Sequence, residues 1–126
     1  MTLRPTNIFS VKGRLNRQAY ILRVFPLSLL SRACVVVLEL KDANVPSLAR
    51  AGLFAGGLAA LVLIVFCLIK RLHDLNRSGW WALIVAVPFV NALGGLYLAF
   101  KKGTDGPNNF GEDPLSGPSP ASSPAV

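Results

Sequence analysis

The sequence is short of the residues that do chemistry. In 126 residues it has one histidine, His73, two cysteines, Cys34 and Cys67, and six acids. A zinc site needs several converging His, Cys or carboxylate ligands, and His73 beside Asp74 has no second imidazole with which to share an ion. A Ser78–His73–Asp74 triad fails on layout, because one short turn cannot supply separate oxyanion donors and a shielded cleft. Both cysteines lie in apolar runs, where a thiol acts as a small hydrophobe rather than a disulfide partner. Asp105, Asn108, Glu112 and Asp113 carry oxygens but lack EF-hand spacing, and they read as a turn. No metal, cofactor or enzymatic activity is expected.

Charge is scarce as well, at 15% of residues, while 52% are hydrophobic and the mean hydropathy is +0.51. That balance points to lipid. Thirteen Lys and Arg give a net charge of +7, which raises nucleic acid as a partner. Apart from Arg32, however, the basic residues stand outside or at the rims of the apolar runs, as in membrane proteins, so nucleic-acid binding is excluded.

The run 51–69 has no charged residue, and at about 1.5 Å per residue it matches a hydrocarbon core of about 30 Å. A second run, 80–100, contains only Pro88 and Asn91 as interruptions, which a packed membrane helix tolerates. The first, 19–40, is broken by Arg23 and Arg32 and should bend at Pro26. It is still read as a span, because no small-residue cleavage site follows it and two further runs do. The expected fold is an all-α membrane protein with three transmembrane helices and a disordered C-terminal tail. It comprises a basic arm (1–18), a three-helix domain (19–102) and a Gly/Pro-rich turn and tail (103–126).

Basic residues favour the cytoplasmic side. Arg4, Lys12, Arg14, Arg17 and Arg23 on the arm, with Lys70, Arg71 and Arg77 between the second and third runs, outnumber Lys41, Arg50, Lys101 and Lys102. The N-terminus is therefore placed in the cytoplasm of a bacterial inner membrane and the C-terminus outside, although Lys101 and Lys102 pull the other way.

Three patterns mark the boundaries: Gly13-Arg14-Leu15-Asn16-Arg17-Gln18-Ala19-Tyr20, then Arg71-Leu72-His73-Asp74-Leu75-Asn76-Arg77-Ser78-Gly79-Trp80-Trp81, then Gly103 through Pro114. The middle one reads as a helix end, a turn at 76–79 and a restart that Ser78 could cap. Trp80, Trp81 and Tyr20 are placed at the interface. Lys70, Asp74 and Arg77 can share one helical face. Asp74, the only acid there, could instead take Arg14 or Arg17 as a fork-shaped partner. His73 is read as packing against, or bonding, the arm.

These three motifs resemble a family of small bacterial inner-membrane proteins, the domain of unknown function 805. Gly13, Arg14, Arg17 and Tyr20 match its first motif, Arg71 to Asp74 and Arg77 to Trp81 its second, and Gly103, Gly106, Asn108, Phe110, Gly111, Asp113 and Pro114 its third. Ala19 stands where an acid is usual, Ile21 where an aromatic is usual and Lys70 where Arg is commoner, so no charge pairing is assigned to position 19. The resemblance implies membrane location and no known activity.

Within the membrane, Gly52, Gly56 and Ala60 form a small-residue stripe that should pack against the third helix beside Asn91, Gly95 and Ala99, or against another copy. Arg32 lies at mid-membrane depth, where a charge costs about 2.5–3.5 kcal/mol or more. It is expected either to meet Asn91 or exposed backbone at Pro88 inside the bundle, or to snorkel to a rim. Two function classes remain. One is a noncatalytic interaction or scaffold protein whose basic cytoplasmic surface meets anionic lipid headgroups or a membrane protein partner. The other is a small oligomeric transporter or pore subunit.

Overall fold

A computed structural model describes residues 12–40, 44–85 and 87–116, and among these all regular structure is helical: α1 (Arg17–Glu39), α2 (Ser47–Asp74), α3 (Trp81–Val85) and α4 (Pro88–Phe100). The outer stretches of the expected arm and tail, 1–11 and 117–126, and Lys41 between the first two helices, lie outside the described residues.

Asn16 starts α1, its side-chain oxygen accepting from the Ala19 N–H at 2.8 Å, which satisfies one of the orphan donors of the first turn. The expected weakness at Pro26 does not end the helix: α1 runs unbroken through it for 23 residues. Ser28 Oγ donates to the Phe25 carbonyl at 2.7 Å in the same stretch. At 28 residues α2 is about 42 Å long, more than the hydrocarbon core requires. Its last turn therefore stands beyond the uncharged run.

Helices α1 and α2 form the main pair, and they are antiparallel, since Leu15 N donates to Lys70 O at one end while Gly57 faces Cys34 at the other. A Cβ at Gly57 would lie 3.3 Å from the Cys34 Cβ, so the absence of a side chain sets the close approach. Ser31, Cys34, Gly57 and Ala60 are buried there. Of the expected stripe, only Ala60 is in a contact within the chain. Gly52, Gly56 and Gly95 have open space where a Cβ would be, and the helix they were meant to meet is not packed on them. Arg32 and Asn91 are both exposed and do not meet within the chain.

The end of α2 is a Schellman turn. Arg77 N–H reaches the Leu72 carbonyl at 2.9 Å and Asn76 N–H the His73 carbonyl at 3.0 Å, with Asn76 at φ 55. Asparagine tolerates that left-handed conformation better than other residues with a side chain, so the turn expected at 76–79 has a specific cause. Ser78 contributes through its carbonyl, which accepts from Trp81 N at 3.1 Å, while its hydroxyl is 3.5 Å from Trp80 N and caps weakly.

The third apolar run is not one helix. It stops after Val85 and resumes at Pro88, with Val87 in an extended conformation (φ −69, ψ 126) between them. A proline disfavours the helical region for the residue before it and cannot donate back across the break, so the tolerance granted to Pro88 in the sequence was misplaced. Helix α4 has 13 residues and is about 20 Å long. It returns toward the end from which α3 departs: Ala82 and Leu98 share one buried cluster with Leu15, Tyr20, Cys67, Leu68 and Leu72. Tyr20 is thus a core residue, 5% exposed, rather than an interfacial ring. The segment after α4 lies at this same end of the helix pair, against Arg14 and Asp74. The expected separation of the two boundary segments by a third crossing is not the arrangement observed.

A candidate functional site where four helix ends meet

The residues leading into α1 turn sharply at Gly13, whose φ of +95 suits only glycine, and this directs Arg14 under the last turn of α2. Arg14 Nε donates to Asp74 Oδ1 at 3.0 Å. Its remaining N–H groups reach the carbonyls of Gly106 at 2.6 Å, Gly111 at 3.4 Å and Thr104. Arg71, three residues before Asp74 on the same helix, donates to Asp74 Oδ2, to Leu98 O at 2.7 Å, to Leu15 O at 3.3 Å and to Lys101 O.

One carboxylate therefore binds two guanidiniums, and six backbone carbonyls from three segments take the other donors. Burial makes this completeness necessary. Arg71 is 0% exposed, and a buried charge is tolerated only when paired and hydrogen-bonded. Among the described residues, no buried side-chain nitrogen or oxygen lacks a partner. Arg17, exposed in the first turn of α1, does not join the cluster, although its charge is felt at Arg71.

His73 anchors the outer layer. Its Nδ1 is 3.3 Å from Gly13 O, its ring stacks on Phe110 with centroids 4.1 Å apart and planes 3° from parallel, and its carbonyl accepts from Asn108 Nδ2 at 2.8 Å. Thr104 N–H binds the Asp74 carbonyl at 2.8 Å. The turn itself is closed by paired Asn108–Gly111 backbone bonds of 3.0 and 3.2 Å. Asp113 then accepts from Leu115 N at 2.9 Å and Gly106 N at 3.0 Å.

Those two backbone donors, Leu115 first, hold the Asp113 carboxyl below the usual carboxylate range. A carboxyl lowered in the folded state contributes stability that is fully present above its unfolded value and is lost as pH falls through the folded one. The protection factors of amides in 103–113, taken against the intrinsic exchange rate at each pH, should therefore be steady near neutrality and fall as the pH drops below the ordinary aspartate range. Asp113→Asn should show the lower protection already at pH 7.

On the opposite rim Trp80 is 78% exposed, and the Arg77 guanidinium carbon sits 5.5 Å from the centre of the exposed Trp81 ring. Gly79 fits closely, since a Cβ there would be 3.1 Å from Ile69. A cleft of about 70 Å³ opens between Asn16, Arg17, Asp74, Lys102, Thr104 and Asp113. Small-molecule sites usually exceed about 300 Å³, so this is a solvent notch beside the cluster rather than a substrate pocket.

Of the residues singled out in the sequence, Arg14, Arg71, His73 and Asp74 are brought together, with Gly13 and Tyr20 supporting them. Arg17, Arg77, Trp80 and Trp81 surround the cluster without entering it. The face expected to join Lys70, Asp74 and Arg77 does not form, because both Asp74 oxygens turn to Arg14 and Arg71. Gly103, Thr104, Asn108, Phe110 and Asp113, read from the sequence as part of a boundary turn, also belong to the site. Their clustered turn-forming residues signalled a turn but not its docking place.

The match to the family described as "Protein of unknown function (DUF805)" extends over residues 8–112. Inner membrane protein YhaI of Escherichia coli (strain K12) is 33% identical over 111 residues, covering 88% of this chain and 91% of YhaI. Inner membrane protein YhaH of the same strain is 47% identical over 45 residues, 36% of this chain and 37% of YhaH. No solved structure matches the chain. All three boundary motifs that build the arginine–aspartate cluster begin inside the matched region, and the chain belongs to the DUF805 family.

Proposed function

We propose that this is a noncatalytic interaction or scaffold protein of the bacterial inner membrane, working through a basic surface at its cytoplasmic boundary. The observation that carries this reading is the buried Arg14–Asp74–Arg71 cluster, which ties the residues before α1, the end of α2 and the segment after α4 into one ordered platform. The cluster neutralises only one of its two guanidiniums, and Arg17 and Arg77 stand exposed around it. Anionic headgroups or an acidic segment of a membrane protein are suitable partners, each basic residue near a charged surface adding about 1 kcal/mol. Affinity purification of the full chain from native membranes tests this. A partner or anionic lipid retained by the wild type and lost by the Arg17→Gln, Arg77→Gln double variant supports the reading. A defined solute flux in liposomes containing the protein alone would favour the pore alternative instead.

We further infer that α3 and α4 form a hairpin that enters the membrane and returns to the same side. A helix of about 20 Å falls short of a core of about 30 Å. With both boundary segments cytoplasmic, ten of the thirteen basic residues fall on that side, and Lys101 and Lys102 cease to be exceptions. Cysteines placed at position 45 and position 116 should respond oppositely to an impermeant thiol reagent in intact cells, with only position 45 labelled. Labelling at 116 from outside would restore a third crossing.

A further inference from the structure

Two polar side chains of the apolar part, those of Arg32 and Asn91, lie on its outside. Arg32 projects from α1 on the face opposite α2, since its neighbours Ser31 and Cys34 are the buried ones, and Asn91 projects from α4. Both are exposed, and no hydrogen bond joins them. An arginine facing lipid at this depth is costly, and polar side chains at membrane depth face protein or water far more often than acyl chains.

Their depths can be reckoned from the shared cluster. Tyr20 and Leu98 belong to the same buried group at the boundary. Arg32 is twelve residues beyond Tyr20, about 18 Å deeper along α1, and Asn91 is seven residues before Leu98, about 10 Å deeper along α4. The separation in depth is about 8 Å, comparable to an extended arginine. The directions also converge. Helical side chains lean toward the N-terminus of their own helix. Helix α1 starts at the boundary and α4 ends there, so Arg32 leans toward the boundary and Asn91 leans away from it, each toward the other's level.

Snorkelling serves Arg32 poorly for the same reason. Its nearer rim lies about 10 Å away beyond Glu39, opposite to the direction in which its side chain leans.

We propose that Arg32 and Asn91 are the two halves of one contact between copies of this chain, Arg32 of each donating to the Asn91 carbonyl oxygen of the other across a two-fold axis. A second copy is the fitting occupant because donor and acceptor are both present on one chain, on helices that lie beside each other, so a single rotation satisfies both. The turn between α3 and α4 adds a second reason. Val87 there is extended with its side chain exposed, and non-helical backbone at membrane depth persists where protein or water covers it. A neighbouring α1 would cover it. The depths rest on the hairpin reading given above.

Single-molecule photobleaching of the full-length protein in liposomes of phosphatidylethanolamine and phosphatidylglycerol, over falling protein-to-lipid ratios, tests the contact. The wild type should form dimers. Arg32→Leu and Asn91→Leu should each weaken association about tenfold, and the double variant should be no weaker than either single one, as for two partners of one bond. Arg32→Leu removes a charge from lipid and so eases insertion, which separates a lost dimer from a misfolded chain. A wild type that stays monomeric, single variants that dimerise normally, or two effects that add independently would each overturn the contact. Thiol labelling of positions 45 and 116 on the same samples reports the hairpin separately. Dimers with position 116 on the far side would sink the hairpin and leave the contact standing.

Discussion

Asp74→Ala should be the most damaging single substitution at the boundary, lowering stability by about 3–5 kcal/mol, because it leaves two buried guanidiniums with no counter-charge. Thermal unfolding in mild detergent and amide exchange across 103–113 would both register it. Arg14→Ala should cost less. It leaves Asp74 paired with Arg71, and the carbonyls of Thr104, Gly106 and Gly111 can turn to water as their segment loosens. Asp74→Asn should fall between the two, since an amide oxygen still accepts one donor but carries no charge. The account fails if Arg14→Ala proves as harmful as Asp74→Ala, because the cluster would then be held by the carbonyls rather than the carboxylate.

Gly103→Ala should release the segment after α4 while leaving the α1–α2 pair intact. A Cβ at Gly103 would overlap the Asp74 carboxylate, and that group cannot swing aside because a guanidinium holds each of its oxygens. Overpacking of this kind typically costs about 1–3 kcal/mol. Here it should appear as lost amide protection from Thr104 to Gly111, whose contacts with Asp74, His73 and Arg14 would separate together. Gly52→Ala is the matched control. Nothing lies within 4 Å of the added methyl, and its effect should be close to zero or slightly favourable through helix propensity.

The parts of this structure that the sequence announced are the local ones. The uncharged run 51–69 marked a helix long and apolar enough to cross a membrane, Asn76 in a run of turn formers marked the end of α2, and a lone acid among arginines pointed Asp74 toward Arg14 or Arg17, of which Arg14 is its partner. The identity of its second partner was harder to read, since Lys70, Arg71 and Arg77 all stand at plausible helical spacing and only the packing of Leu98 and Leu15 fixes Arg71 inward. Nothing in residues 103–113 revealed where they dock, because a Gly/Asx turn has the same local signature on a surface as in a cradle. The break at Pro88 was visible and was discounted. A proline after an apolar stretch is tolerated within a helix at Pro26 and ends one at Pro88, and the difference lies in neighbouring groups that local sequence does not rank. The small-residue stripe did not locate the contact within the chain for a related reason: a four-residue period identifies a face but not its neighbour, and the tight contact fell one residue over, at Gly57.

The Arg14 contacts also set an order of events during synthesis. Its partners stand 60, 92 and 97 positions away in the chain, so the cluster cannot close until Gly111 has left the ribosome. While α1 and α2 are being inserted, Arg14 has neither its carboxylate nor its carbonyls and carries its full charge. In the proposed topology the nascent arm would then be most strongly retained on the cytoplasmic side, at the stage when orientation is decided. In that topology the arginine that later becomes a buried, paired strut would first act as a topological signal, and the later-made turn at 104–111 would end that role by covering it.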